Sequence, residues 1–81
     1  MQTFQLEIRE PKRILLDQSV EWASFDLSEG KVTIYPGHAA LMGEVISGEL
    51  IYYTNGQEHT LALTKGFAHI TPEKTILLIE Q

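Results

Sequence analysis

Three histidines, His38, His59 and His69, are the side chains of this sequence best suited to proton transfer or metal ligation. None is spaced as His-x-His or His-x-x-x-His, the pitches at which two imidazoles share one face and close on a zinc ion. His59 reads as a strand residue satisfied by a tyrosine or main-chain neighbour, and His69, between Ala68 and Ile70, as a polar strand position. Ser19, Ser24, Ser28 and Ser47 supply hydroxyls, but none lies in Gly-x-Ser-x-Gly, and Ser47-Gly48 reads as a turn before a strand. The glycines never fall as Gly-x-Gly-x-x-Gly or as a phosphate loop opening a helix. Glu7 with Glu10, or Glu21 with Asp26, could pair carboxylates for acid–base work, yet among 11 acids solvated surface positions are the ordinary outcome. The expectation is a protein with no catalytic group, no cofactor site and no metal site. A hydrolase built on His38 would need a carboxylate within about 3.2 Å of it in a shared cleft.

The elements that must position these residues are short strands. Phe4, Leu6 and Ile8 alternate with Gln5, Glu7 and Arg9, the period of a half-buried strand, and Pro11 ends it because proline cannot donate to a ladder. Arg13 to Asp17 forms a second strand. Ser19 to Leu27 forms a third whose phase slips, with Val20 and Trp22 on one parity and Phe25 and Leu27 on the other. A β-bulge near Trp22 and Ala23 would repair it. Ser28-Glu29-Gly30 turns the chain into Lys31 to Tyr35. Tyr35-Pro36-Gly37 is then a corner, with proline fixing φ and glycine accepting φ > 0. Ala39 to Ile46 favours strand over a helical turn, given Gly43, Val45 and Ile46.

Asn55-Gly56 between alternating arms signals a type I′ hairpin, which sets Leu50 opposite Leu61, Tyr52 opposite His59 and Tyr53 opposite Glu58. Tyr52 and Tyr53 point to opposite faces, so one is exposed, an argument for a protein partner. Phe67 to Thr71 and Thr75 to Glu80 complete the set. The unbroken run Ile76-Leu77-Leu78-Ile79 implies a strand covered on both faces. The fold expected is all-β, an antiparallel β-sandwich of about eight to ten short strands.

With 81 residues the chain makes one domain, residues 1–81, with a small core. The net charge of −5 and the scattered Arg9, Lys12, Arg13, Lys31, Lys65 and Lys74 are the wrong balance for phosphate-dominated binding, so no nucleic-acid partner and no anionic leaflet are expected. There is no cysteine, which removes disulfides, thiol catalysis and Cys-ligated metals. Without a run of about 18 apolar residues or a signal-like region at Met1-Gln2-Thr3-Phe4, a soluble cytoplasmic protein is expected.

Ser28-Glu29-Gly30, then Ile34-Tyr35-Pro36-Gly37-His38-Ala39 and Leu41, resemble the Ser-Glu-Gly-Glu-x-Gly-Ile-x-Pro-Gly-His-Ala-Pro-Leu signature of the epsilon subunit of F-type ATP synthases. Phe4 to Pro11, Gly48-Glu49-Leu50, Gly66-Phe67 and Pro72 to Leu78 extend the likeness, so that the family's N-terminal β-sandwich covers the whole sequence. The resemblance implies a non-catalytic central-stalk rotor subunit that fixes the gamma subunit to the rotor ring of c subunits. Torque then passes between proton or sodium translocation and ATP synthesis or hydrolysis elsewhere. It implies a place on the cytoplasmic face of the membrane, peripheral to the ring.

It also implies ring contact through Ser28, Glu29, Gly30 and Lys31, and gamma contact through Glu10, His38, Ala39, Leu41, Met42 and Gly43. Lys31 stands where the family signature has an acid, Thr33 where it has glycine, Ala40 where it has proline, and Lys65 in place of the first glycine of Gly-Gly-Phe. Family members continue into a two-helix hairpin that inhibits ATP hydrolysis in some and binds ATP in others. Neither property is carried onto these residues. A free-standing β-sandwich module for a protein or small ligand is the alternative, distinguished by a deep pocket in place of a flat apolar face.

Overall fold

A computed structural model describes residues 2–80, so that Met1 and Gln81, the two ends of the expected domain, lie outside the described residues. Strands β1 (Phe4–Glu10), β2 (Arg13–Val20), β3 (Trp22–Leu27), β4 (Gly30–Ile34) and β5 (Leu41–Val45) are followed by β6 (Gly48–Thr54), β7 (Gln57–Leu63), β8 (Gly66–Ile70) and β9 (Lys74–Ile79). They join in the order β2-β1-β9-β8-β5-β3-β6-β7, with β4 on the other side of β3. The link between β5 and β3 is narrow. Leu27 bridges Val45, Ser28 N–H donates to the Glu44 carbonyl (2.9 Å), and Ile46 N–H donates to the Asp26 carbonyl (3.1 Å). The sheet folds over there, so that β2-β1-β9-β8-β5 faces β4-β3-β6-β7 across one core.

That core is the inward parity of each strand. Leu6 and Ile8, Val20, Ala23 and Phe25, Leu50, Ala68 and Ile70, and Leu77 are fully buried. Each large apolar side chain so placed contributes roughly 1.5–3 kcal/mol against the entropy of ordering it. The β6–β7 hairpin has the expected register, with Leu50 opposite Leu61, Tyr52 opposite His59 and Tyr53 opposite Glu58. Asn55 (φ 54°) and Gly56 (φ 77°) occupy its turn, both left-handed as a type I′ turn requires. The Tyr35-Pro36-Gly37 corner is closed by His38 N–H donating to the Tyr35 carbonyl (3.1 Å), with Gly37 at φ 84°.

Two expectations are corrected. The phase slip in Ser19 to Leu27 is not a bulge: the chain bends at Glu21, leaves β2 and starts β3 in the opposite half of the sheet. Glu21 N–H donating to the Tyr53 carbonyl (2.8 Å) and Thr54 Oγ1 donating to the Ser19 carbonyl (3.1 Å) stitch this crossover. The register shift lies instead between Ile8 and Arg9, where β1 meets β2. Second, β9 is covered on one face: Thr75, Leu77 and Ile79 point inward, while Leu78 on the outer face is 54% exposed because no further layer of the described residues lies over it. The antiparallel β-sandwich expected from the sequence contains one exception: β9 runs parallel to β1, whereas the other pairings among the described residues are antiparallel.

Candidate interaction surfaces

The turn Ser28-Glu29 leads into Gly30, whose φ of 133° suits glycine, and delivers the chain to β4. Because Leu27 and Ser28 are tied to Val45 and Glu44, the turn is held beside the end of β5. Ser28, Glu29, Met42, Gly43, Glu44 and Phe67 border a shallow recess of about 230 Å³ there. Gly43 faces Leu27, whose Cδ1 lies 3.3 Å from where a Cβ would stand.

A larger open groove of about 820 Å³ runs past the ends of β1, β8 and β9, between Arg9, Glu10 and Pro11 on one side and Ile46, Phe67 and Leu78 on the other. Phe67 pairs with Leu78 across β8–β9 and with Glu44 across β5–β8. Their outward parity leaves Met42 (61%), Phe67 (40%) and Leu78 (54%) exposed on one sheet face, with Ile46 (45%) at its edge. Lone exposed apolar residues are ordinary, but neighbours on adjoining strands make a patch of the kind that meets other proteins. Ion pairs frame it: the Glu7 carboxylate takes Arg9 Nη1 and Lys74 Nζ, each at 3.1 Å, and Lys65 Nζ lies 3.9 Å from Glu80.

The residues expected to meet gamma do not gather at one place. His38 and Ala39 follow the Pro36-Gly37 corner, which docks on the β8–β9 turn through Gly37 N–H donating to the Pro72 carbonyl (2.9 Å). His38 Nδ1 lies 2.7 Å from the carbonyl oxygen of Ala39, and no carboxylate pairs with it among the described residues. Leu41 packs inward against the core, while Met42 points outward. Glu10, bonded to Arg13 Nε at 2.9 Å, lies at the other end of the sandwich beside the groove, level with Val45 rather than Leu41. Those ends are about 13 Å apart along β5.

Phe67, Leu78 and Ile46 belong to the surface without having been singled out in the sequence. Ala68 and Ile70 turning inward was the available signal for Phe67. Among the described residues no His, Asp and Glu side chains cluster in a way that could hold a metal ion.

Residues 3–81 match the family described as ATP synthase, Delta/Epsilon chain, beta-sandwich domain. The chain belongs to this family. It is 36% identical over 78 residues to the ATP synthase epsilon chain of Koribacter versatilis (strain Ellin345), covering 96% of this chain and 55% of that one. It is 38% identical over 77 residues to the epsilon chain of Granulibacter bethesdensis, covering 94% and 57%. The chain thus spans little more than half the length of these relatives.

Two solved structures share the fold. One is a chain of the Euglena gracilis mitochondrial ATP synthase, OSCP/F1/c-ring (TM-score 0.87, 19% identity, 95% of this chain and 50% of that one). The other is from the Tetrahymena thermophila mitochondrial ATP synthase central stalk and c-ring (TM-score 0.78, 13% identity, 99% and 65%). Several departures from the epsilon signature find partners within this delta/epsilon-family chain. Lys31 Nζ lies 3.4 Å from Asp26, Thr33 Oγ1 donates to Ser24 Oγ (3.3 Å), and Lys65 reaches Glu80.

Proposed function

We propose that the chain, residues 1–81 acting as one β-sandwich domain, is a non-catalytic central-stalk rotor subunit of an F-type ATP synthase. It links the gamma subunit to the rotor ring of c subunits and helps couple ion translocation to ATP synthesis or hydrolysis. It uses no cofactor of its own. Family membership supports the reading, as do relatives named ATP synthase epsilon chain and structural neighbours from complexes that contain a c-ring.

The observation that carries it is the exposed apolar row Met42, Phe67 and Leu78 beside the Ser28 to Lys31 turn. The row offers gamma a surface continuous with Gly43 and the groove at Glu10, while His38 and Ala39 extend the contact at the far end of β5. Ser28, Glu29, Gly30 and Lys31 face the ring. The groove is open along the strand ends, which suits a protein surface better than an engulfed small ligand. No helix among the described residues is long and apolar enough to cross a membrane. The place we propose for the chain is the cytoplasmic face, reached through the ring.

Mixing the purified chain with gamma from the same source tests the reading: co-elution on size exclusion is expected. Failure of the two to associate at micromolar concentrations overturns it.

A further inference from the structure

If the Ser28 to Lys31 turn meets the ring, as the reading above has it, the charge shown there decides what it can meet. Lys31 is the one cation of the turn, and its ammonium is drawn back toward the body of the sheet. It lies opposite Asp26 across β3–β4, with Nζ 3.4 Å from Oδ1. The other carboxylate oxygen of Asp26 occupies the space over Gly48, where a Cβ would stand 2.8 Å from Oδ2. The Asp26 carbonyl is held by Ile46 N–H. Asp26 is therefore seated by the missing side chain of Gly48 and placed to receive Lys31.

Glu29 at the exposed tip, and Glu44 bordering the same recess, form no ion pair among the described residues. The charge left unpaired at the turn and its recess is acidic although a lysine stands in the turn. Both groups of the Lys31–Asp26 pair are partly exposed, so the pair adds little to stability. Its effect is on the field a partner meets within about 10 Å at 0.1 M salt.

We propose that Asp26, seated by Gly48, neutralises Lys31, so that the turn docks through Glu29 onto a rotor loop presenting a basic side chain. Asp26 is a positioning residue here. Glu29 makes the contact.

The test is association of the full chain with the gamma–ring rotor from its own source, at low and raised ionic strength. No association of the unmodified chain overturns the functional reading itself, before any variant is considered. With that binding in hand, Glu29→Gln and Asp26→Asn are each expected to weaken association about three- to tenfold at low salt and to flatten its salt dependence. Lys31→Gln is expected to tighten it, and Gly48→Ala, which displaces the Asp26 carboxylate, to act in the same direction as Asp26→Asn. The double variant Asp26→Asn/Lys31→Gln restores the charge balance and is expected to recover the unmodified affinity, which a merely damaged fold would not do. Unchanged affinity and salt slope in Glu29→Gln or Asp26→Asn, weakening by Lys31→Gln, or no recovery in the double variant overturns the proposal.

Discussion

A Cβ on Gly66 would run into the main-chain carbonyl of Leu78 and stand 2.7 Å from the Cα of Ile79. The obstacle is the backbone of the neighbouring strand, which cannot swing aside without breaking the β8–β9 ladder. Gly66→Ala is expected to cost about 3 kcal/mol or more in urea unfolding. Gly43→Ala meets only the flexible end of Leu27 at 3.3 Å, and about 1 kcal/mol or less is expected. Equal costs at the two sites would refute the distinction.

Glu7 is 7% exposed although it lies on the outer parity of β1, because Arg9 and Lys74 close over its carboxylate. The two cations are about half exposed, which discounts the Coulomb gain through solvent screening. Glu7→Gln is expected to lower stability by roughly 1–2 kcal/mol, less at 1 M salt than at 0.05 M. A double-mutant cycle with Lys74→Met should return a coupling of about 0.5–1 kcal/mol, and no coupling at low salt would show the pair to be incidental.

Thr75 is fully buried between β1 and β8, and its hydroxyl finds no hydrogen-bond partner among the described residues. Thr75→Val removes an unpaired polar atom at nearly constant shape and is expected to stabilise the protein by about 1 kcal/mol. Thr75→Ser keeps the hydroxyl and opens space, and is expected to destabilise. A lower thermal midpoint for the valine variant would mean that the hydroxyl is satisfied in solution.

Met42→Asp and Leu78→Asp alter exposed side chains on the outer sheet face. Each is expected to change unfolding free energy by no more than about 0.5 kcal/mol. Association with gamma is expected to fall about tenfold or more, which is about 1.4 kcal/mol. Titration calorimetry separates this from an effect on folding, and full affinity in both variants would remove the face from the interface.

The candidate surfaces were legible only in pieces. The Ser28 to Lys31 turn could be placed by signature and turn chemistry, whereas the resemblance names Met42 without its direction, which the β5–β8 pairing sets outward. That Leu41 turns inward, or that Glu10 and His38 fall at opposite ends, follows from registers between strands distant in sequence. Leu78 was hidden because an apolar run has no parity, and its exposure depends on there being no layer of described residues above β9.

By itself the sequence determined what is local. The Asn55-Gly56 turn sets Tyr52 against His59, whose rings stack at 5.0 Å, because two residues with φ > 0 permit one tight hairpin register. The Pro36-Gly37 corner and the alternation of Phe4, Leu6 and Ile8 rest on the same short-range sterics. Only the tertiary structure decided that the phase slip after Val20 is a change of sheet half, that β9 joins β1 in parallel, and that Asp26 catches Lys31. These depend on which strands come to lie side by side. That choice is made by burying the whole apolar set at once, and no window of neighbouring residues contains it.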